Sequence, residues 1–211
     1  MTRYPALSPA AEQDILLIVD IQNDFCPGGA LPVPQGDAVI PAVNRLAARF
    51  PHVGLTQDWH PAGHLSFATS HPGKKPFETI EVSYGLQILW PDHCVQGSFG
   101  ADFHQGLKVP RAEFVLRKGY DPAIDSYSAF RENDRQTKTG LSSYLRERGF
   151  ARIVLCGLAT DFCVLYSAQD ALAEGFLVSV VVDATRGLDV EGSLEKALGA
   201  MRESGVALVQ S

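Results

Sequence analysis

Short runs of valine, isoleucine and leucine alternate along the chain with segments whose apolar residues recur at helical spacing, and this order leaves few folds open. Strand, helix, strand, helix in sequence is the pattern of a parallel sheet covered by helices on both faces. The strand-like runs lie at residues 15–19, 53–56, 114–116, 153–156, 177–182 and 206–209. Helical stripes lie between them. Ile40, Val43, Ala47 and Phe50 precede Pro51, and Leu141, Tyr144 and Leu145 precede Gly149. Leu165, Ala168 and Leu172 precede Gly175, and Leu194, Ala197, Leu198 and Met201 precede Gly205. The expectation is an α/β chain of three layers with a mostly parallel, six-stranded sheet and right-handed crossovers.

Ionisable residues stand where four of these runs end: Asp20, Asp58, Lys118 and Cys163. In an open parallel sheet ligands bind outside the carboxyl ends of the strands, so the four should converge on one pocket. Residues 61–110 and 119–136 lack a long helical stripe and are expected to overhang that edge as functional loops.

Several function classes are disfavoured. With 211 residues, 45% of them hydrophobic, the chain is read as a single domain over 1–211 with one sizeable core. A net charge of -6 without a basic run gives no case for nucleic acid or an acidic membrane surface, so the partner expected is a small molecule. No stretch reaches the roughly 20 apolar residues of a membrane span, and Met1-Thr2-Arg3-Tyr4-Pro5 lacks the apolar core of a signal peptide. Four cysteines without framework spacing suit free thiols, and the expected location is cytoplasmic. A homo-oligomer is compatible with this composition.

Asp58-Trp59-His60 places two metal-capable side chains on the same side of an extended segment, and His93 could complete a three-ligand site for Zn²⁺, Fe²⁺ or Mn²⁺. An Asp-x-His pair alone is weak evidence, because loop histidines are often merely hydrogen-bonded. His64 is a further candidate, whereas His52, His71 and His104 are read as solvated or structural. Cys163 lies where a strand runs into a helix that Thr160 or Asp161 can cap. A thiol in that first turn would be a nucleophile with a lowered pKa, or else a small core residue, the reading given to Cys156. An aspartate near the thiol can exchange a proton with it and an ammonium can steady both anions, so Asp20, Lys118 and Cys163 form a candidate triad without a histidine base.

The segments Ile18-Val19-Asp20-Ile21-Gln22-Asn23-Asp24-Phe25-Cys26-Pro27-Gly28-Gly29, Asp58-Trp59-His60-Pro61, Trp90-Pro91-Asp92-His93-Cys94-Val95, Lys118-Gly119 and Gly157-Leu158-Ala159-Thr160-Asp161-Phe162-Cys163-Val164 together resemble the nicotinamidase (pyrazinamidase) branch of the isochorismatase-like hydrolases. The resemblance spans almost the whole chain in order. It implies a Rossmann-like fold and metal-dependent hydrolysis of nicotinamide, and of pyrazinamide, through a cysteine thioester in NAD salvage. It also implies a triad of Asp20, Lys118 and Cys163, a divalent metal on Asp58, His60 and His93, and an extra ligand at His64 as in some members. A cis peptide between Leu158 and Ala159 is implied too, aiming the N–H groups of Ala159 and Cys163 into an oxyanion hole. Phe25, Leu31, Trp90 and Tyr127 are suited to pack around an aromatic substrate ring. Competing readings are a relative acting on N-carbamoyl or ureido amides, a vinyl-ether hydrolase acting on isochorismate, and a metal-binding α/β module with an inert thiol.

Overall fold

The computed structural model describes residues 4–211. Its strands, in chain order, are β1 (Asp14–Val19), β2 (His52–Asp58), β3 (Thr79–Val82), β4 (Gly85–Ile88), β5 (Phe114–Lys118), β6 (Arg152–Leu158), β7 (Leu177–Arg186) and β8 (Ala207–Val209). The helices are α1 (Ile40–Arg49), α2 (Leu141–Glu147), α3 (Leu165–Ala173) and α4 (Ser193–Ser204). Six strands make one sheet in the order β5-β2-β1-β6-β7-β8, and every pairing in it is parallel.

This order follows from burial. Every residue of β1, and all but the first of β6, is buried, which is why both read as unbroken apolar runs: a central parallel strand is covered on both faces. β5 lies at an edge, and its residues alternate in exposure until Lys118. The chain steps outward from β1 to β2 and β5 on one side and from β6 to β7 and β8 on the other. Since α1 links β1 to β2 in one direction and α3 and α4 link β6 to β7 to β8 in the other, the right-handed rule sets α1 on one face and α3 with α4, which pack together, on the other. The reversal between β1 and β6 is the switch point at which open α/β sheets bind ligands. Gly157 permits the close approach there: its φ is +111°, and a Cβ would strike the backbone of Val19.

The long segment expected as a loop at residues 61–110 holds more order than its sequence suggests. β3 and β4 pair as an antiparallel hairpin, and single 3₁₀ turns form at Ala68–Ser70 and Phe99–Ala101. The hairpin escapes a periodicity reading because its strands are mostly exposed and only four residues long. Among the described residues, no helix is long and apolar enough to cross a membrane.

Candidate active site

The strand ends bring the ionisable residues together. Asp58 and Lys118 are register partners on β2 and β5, so their side chains rise side by side at the carboxyl edge. Lys118 is fully buried, and its Nζ lies 2.9 Å from Asp20 Oδ2, 3.0 Å from Asp58 Oδ1 and 3.5 Å from Cys163 Sγ. It also donates to the Ser126 carbonyl at 3.0 Å. A buried ammonium persists only where anions surround it. Burial works against the charge on Lys118, but Asp20 and Asp58 outweigh it and raise its pKa well above the usual lysine value.

Asp20 follows β1 with φ +47° and is fully buried. The Thr56 hydroxyl donates to its Oδ1 at 2.6 Å. Asp20 Oδ2 pairs with Lys118 Nζ at 2.9 Å. Burial raises the pKa of this carboxyl more than Lys118 lowers it. Asp20 therefore combines a carboxylate set against Lys118 and Cys163 with heightened proton affinity, the properties of a general base.

Cys163 departs from two expectations. It lies in a π turn, Thr160–Val164, that precedes α3, and neither Thr160 nor Asp161 caps the helix. Instead the Asp161 carboxylate accepts from the backbone N–H groups of Leu188 (3.0 Å) and Asp189 (2.8 Å) and from the Ser193 hydroxyl, tying the segment after β7 to the cysteine turn. The thiol pKa is also not lowered: burial pushes it well above the ordinary value, against the pull of Lys118. A helix-end argument counts local dipoles and omits the loss of water. The resting group is the thiol, which must give up a proton before it attacks. The peptide bond between Leu158 and Ala159 is cis, as the resemblance implies. Cys156 is buried core, as expected.

Asp58, His60 and His93 are buried, and each presents a ligand-type atom within 4.8 Å of the others. Asp58 Oδ2 lies 3.0 Å from His60 Nε2 and 3.3 Å from His93 Nε2. Each imidazole has its other nitrogen against a carbonyl, His60 Nδ1 on Gly119 O at 2.9 Å and His93 Nδ1 on Pro91 O at 2.8 Å. Such outer bonds fix the Nε2 lone pair for a metal. Gly119 is needed there, because at φ +67° a Cβ would sit 2.5 Å from His60 Cε1. Burial opposes the Asp58 carboxylate, but His60 and Lys118 together hold its pKa well below the usual range. One carboxylate and two oriented imidazoles fit a borderline divalent cation.

His64 stacks on His60 with ring centroids 4.3 Å apart and belongs to a second cluster with His60 and Asp125. Its Nε2 lies 2.8 Å from Asp121 O and its Nδ1 2.8 Å from the Ser66 hydroxyl. Both ring nitrogens have protein partners, and the cluster with His60 and Asp125 keeps His64 a candidate extra ligand. His71 and His104 bond to neighbouring backbone, and His52 bonds to Glu113.

Phe25, Leu31, Trp90 and Tyr127 line a narrow pocket that ends at Cys163 and borders Asp58 and His93. The sequence reading omits Phe162 and Leu188, which line it too, as do Asp125 and Ser126. Phe162 packs edge-on to Trp90 at 5.0 Å, and Trp90 Nε1 donates to the Tyr127 hydroxyl at 3.2 Å. Phe162 adjoins Cys163 in the motif, a signal that could have found it; Leu188 arrives through the Asp161 contacts and leaves no local trace. A wider cleft beside Asn23, Cys26, Gly29 and Phe103 contains none of the triad or ligand residues.

An α/β sheet with a buried thiol, lysine and aspartate at its switch point defines the class, and the chain belongs to the isochorismatase family, whose domain matches residues 14–211. Within that family it is similar to the nicotinamidase of Acinetobacter baylyi, 49% identical over 93% of this chain and 92% of the relative. Among solved structures, a nicotinamidase/pyrazinamidase of Acinetobacter baumannii superposes with a TM-score of 0.94 at 52% identity, covering 95% of this chain and 97% of its own. A pyrazinamidase of Pyrococcus horikoshii in complex with zinc gives a TM-score of 0.78 at 36% identity over 94% and 99%.

Proposed function

We propose that this chain, acting as a single catalytic domain, hydrolyses nicotinamide to nicotinate and ammonia, with pyrazinamide as a second substrate. The observation that carries the reading is the Lys118 ammonium, held by Asp20 and Asp58 and 3.5 Å from the Cys163 sulfur, at the foot of an aromatic-walled pocket. The names of the Acinetobacter relatives support the substrate. The four free cysteines suit a reducing compartment such as the cytoplasm.

In the proposed reaction Asp20 takes the Cys163 proton while Lys118 steadies the nascent thiolate, which attacks the carboxamide carbon. The N–H groups of Ala159 and Cys163 are assigned to the oxyanion. Asp20 returns the proton to the leaving nitrogen, ammonia departs, and a thioester remains. Asp20 then takes a proton from water as the water attacks the thioester and passes it to the departing sulfur, which restores the thiol and releases the acid, ionised to nicotinate. Asp58, His60 and His93 are the residues that would hold a divalent cation, and zinc in the Pyrococcus relative supports that ion. When bound, the cation supplies a Lewis acid beside the pocket that can anchor a ring nitrogen.

The test is ammonia release from nicotinamide by the purified, metal-loaded protein and by Cys163→Ala. Release by the first alone is expected. Release by the variant would refute the covalent route, and no release by the first would move the substrate to another amide.

A further inference from the structure

The β3–β4 hairpin is built around one side chain that faces inward. Leu86 is 78% exposed, whereas its neighbour Gln87 is 1% exposed, the one buried residue of the two strands. A buried amide must find partners for its two donors and its acceptor. Gln87 Nε2 donates to Asp125 Oδ2 and to Ile88 O, both at 2.7 Å, and Oε1 accepts from the Tyr84 hydroxyl at 3.0 Å. The Tyr84 oxygen in turn accepts from the Asp125 N–H at 3.1 Å. The result is a closed cycle in which two hairpin residues grip Asp125 by its carboxylate and its backbone at once. A carboxylate and a carbonyl accept from the same nitrogen, so only the orientation with Nε2 toward Asp125 satisfies the ring.

Asp125 begins a wall of the pocket. Its Oδ1 accepts from the Ser126 N–H at 2.8 Å, and the Ser126 carbonyl accepts from Lys118. Tyr127 follows, its hydroxyl 3.5 Å from Gln87 Nε2 and its ring on the pocket. One chain of contacts therefore runs from a solvent-exposed hairpin to the Lys118 ammonium and the aromatic wall. We infer that the hairpin is a clamp on the substrate pocket, with Gln87 and Tyr84 as positioning residues that set the Asp125–Tyr127 wall for the substrate ring. The inference rests on the amidase reading for its substrate. The clamp leaves Asp20 and Cys163 untouched, so its loss should weaken ring binding far more than it slows the chemical step.

The experiment compares wild-type protein, Gln87→Leu, Tyr84→Phe and, as a control, Leu86→Ala. It reads KM and kcat for nicotinamide and hydrogen exchange of the peptide containing Asp125, Ser126 and Tyr127. For Gln87→Leu, KM is expected to rise about tenfold, with kcat within about threefold. Tyr84→Phe, which keeps its ring and is only half-buried, should move KM the same way by less, and both should speed exchange of the wall peptide while Leu86→Ala changes neither. Unchanged KM and exchange in folded Gln87→Leu and Tyr84→Phe would overturn the clamp. So would a fall in kcat at constant KM that merely follows the folded fraction. A wild-type protein inactive on nicotinamide would overturn the amidase reading instead, and the exchange measurement would still decide the clamp.

Discussion

Lys118 and Asp58 face each other across the β2–β5 ladder with Nζ and Oδ1 3.0 Å apart, and this contact joins the candidate metal cluster to the candidate nucleophile. Asp58 turns its other oxygen to His60 and His93, while Lys118 turns toward Asp20 and Cys163. One ammonium thus balances two buried carboxylates and stabilises any charge on the thiol.

Replacing Lys118 by methionine keeps the stem and removes the charge. Asp20 would then lose its cation and Asp58 would keep only the imidazoles, and breaking such a pairing costs about 3–5 kcal/mol. The variant is expected to unfold at lower urea concentration at neutral pH. In the fraction that remains folded, kcat on nicotinamide should fall about a hundred- to thousandfold, as when a preorganised electrostatic group is lost. A variant with wild-type kcat would remove Lys118 from the mechanism.

The pH profile should carry the signature of Asp20. Burial raises its pKa above the ordinary aspartate value of 3.8, even with Lys118 beside it. Protonated Asp20 cannot accept the thiol proton, so activity is lost as pH falls through the raised value. The acid limb of kcat/KM should therefore lie at higher pH than a free aspartate would give. The stability effect has the opposite sense: the folded state holds this proton more tightly than the unfolded chain, so stability declines as pH rises through the same range. Asp20→Asn should abolish turnover and remove that decline. A kcat/KM profile flat down to the range of free aspartate would exclude Asp20 as the base.

The metal cluster makes a separate prediction. The His93 Nδ1 contact with Pro91 O leaves Nε2 directed at Asp58. Chelator treatment should abolish ammonia release, and adding back one divalent cation should restore it. A ligand that binds only the folded state raises the unfolding temperature, so the chelated protein should melt lower than the loaded one. His93→Ala should lose metal affinity by more than about tenfold in a competition titration. Full activity in protein shown by elemental analysis to be metal-free would exclude a catalytic role for the cluster.

The framework of the site is legible in the sequence because parallel strands announce themselves as apolar runs and deliver their next residue to one edge. Asp20, Asp58 and Lys118 are placed by that rule alone. His93 is placed by its motif, since nothing periodic marks residues 89–95. What stays hidden depends on contacts between distant segments. Gln87 lies in a short, mostly exposed hairpin, and its importance lies in where its amide ends up. Leu188 reaches the pocket only because Asp161 binds the backbone after β7. The thiol pKa goes the other way from a helix-end argument because the site is dry, which no local pattern reports.

Gln22 carries the last prediction, on how Asp58 is held. This side chain is fully buried, and its Oε1 accepts from the Asp58 N–H at 2.8 Å while its Nε2 donates to Asp58 O at 2.8 Å and Ala101 O at 2.9 Å. It thereby acts as a short piece of strand on the β1 side of the end of β2, where the β1 register stops at Leu55, while β5 pairs the other edge. Gln22→Leu would take this partner from the buried Asp58 N–H and carbonyl, each loss costing about 1–3 kcal/mol unless water enters, whereas Ala101 O keeps its bond from Gln57 Nε2. Gln22→Glu keeps the shape but turns a second oxygen toward two carbonyls and brings negative charge near Asp58. Both variants should therefore lower the unfolding free energy by about 2 kcal/mol or more, read as a lower urea midpoint, and the folded fraction should bind the metal more weakly because Asp58 loses its fixed backbone. If Gln22→Glu matched the wild-type midpoint and metal affinity, the lock on Asp58 would be dispensable and the ladder contact with Lys118 would be enough to place it.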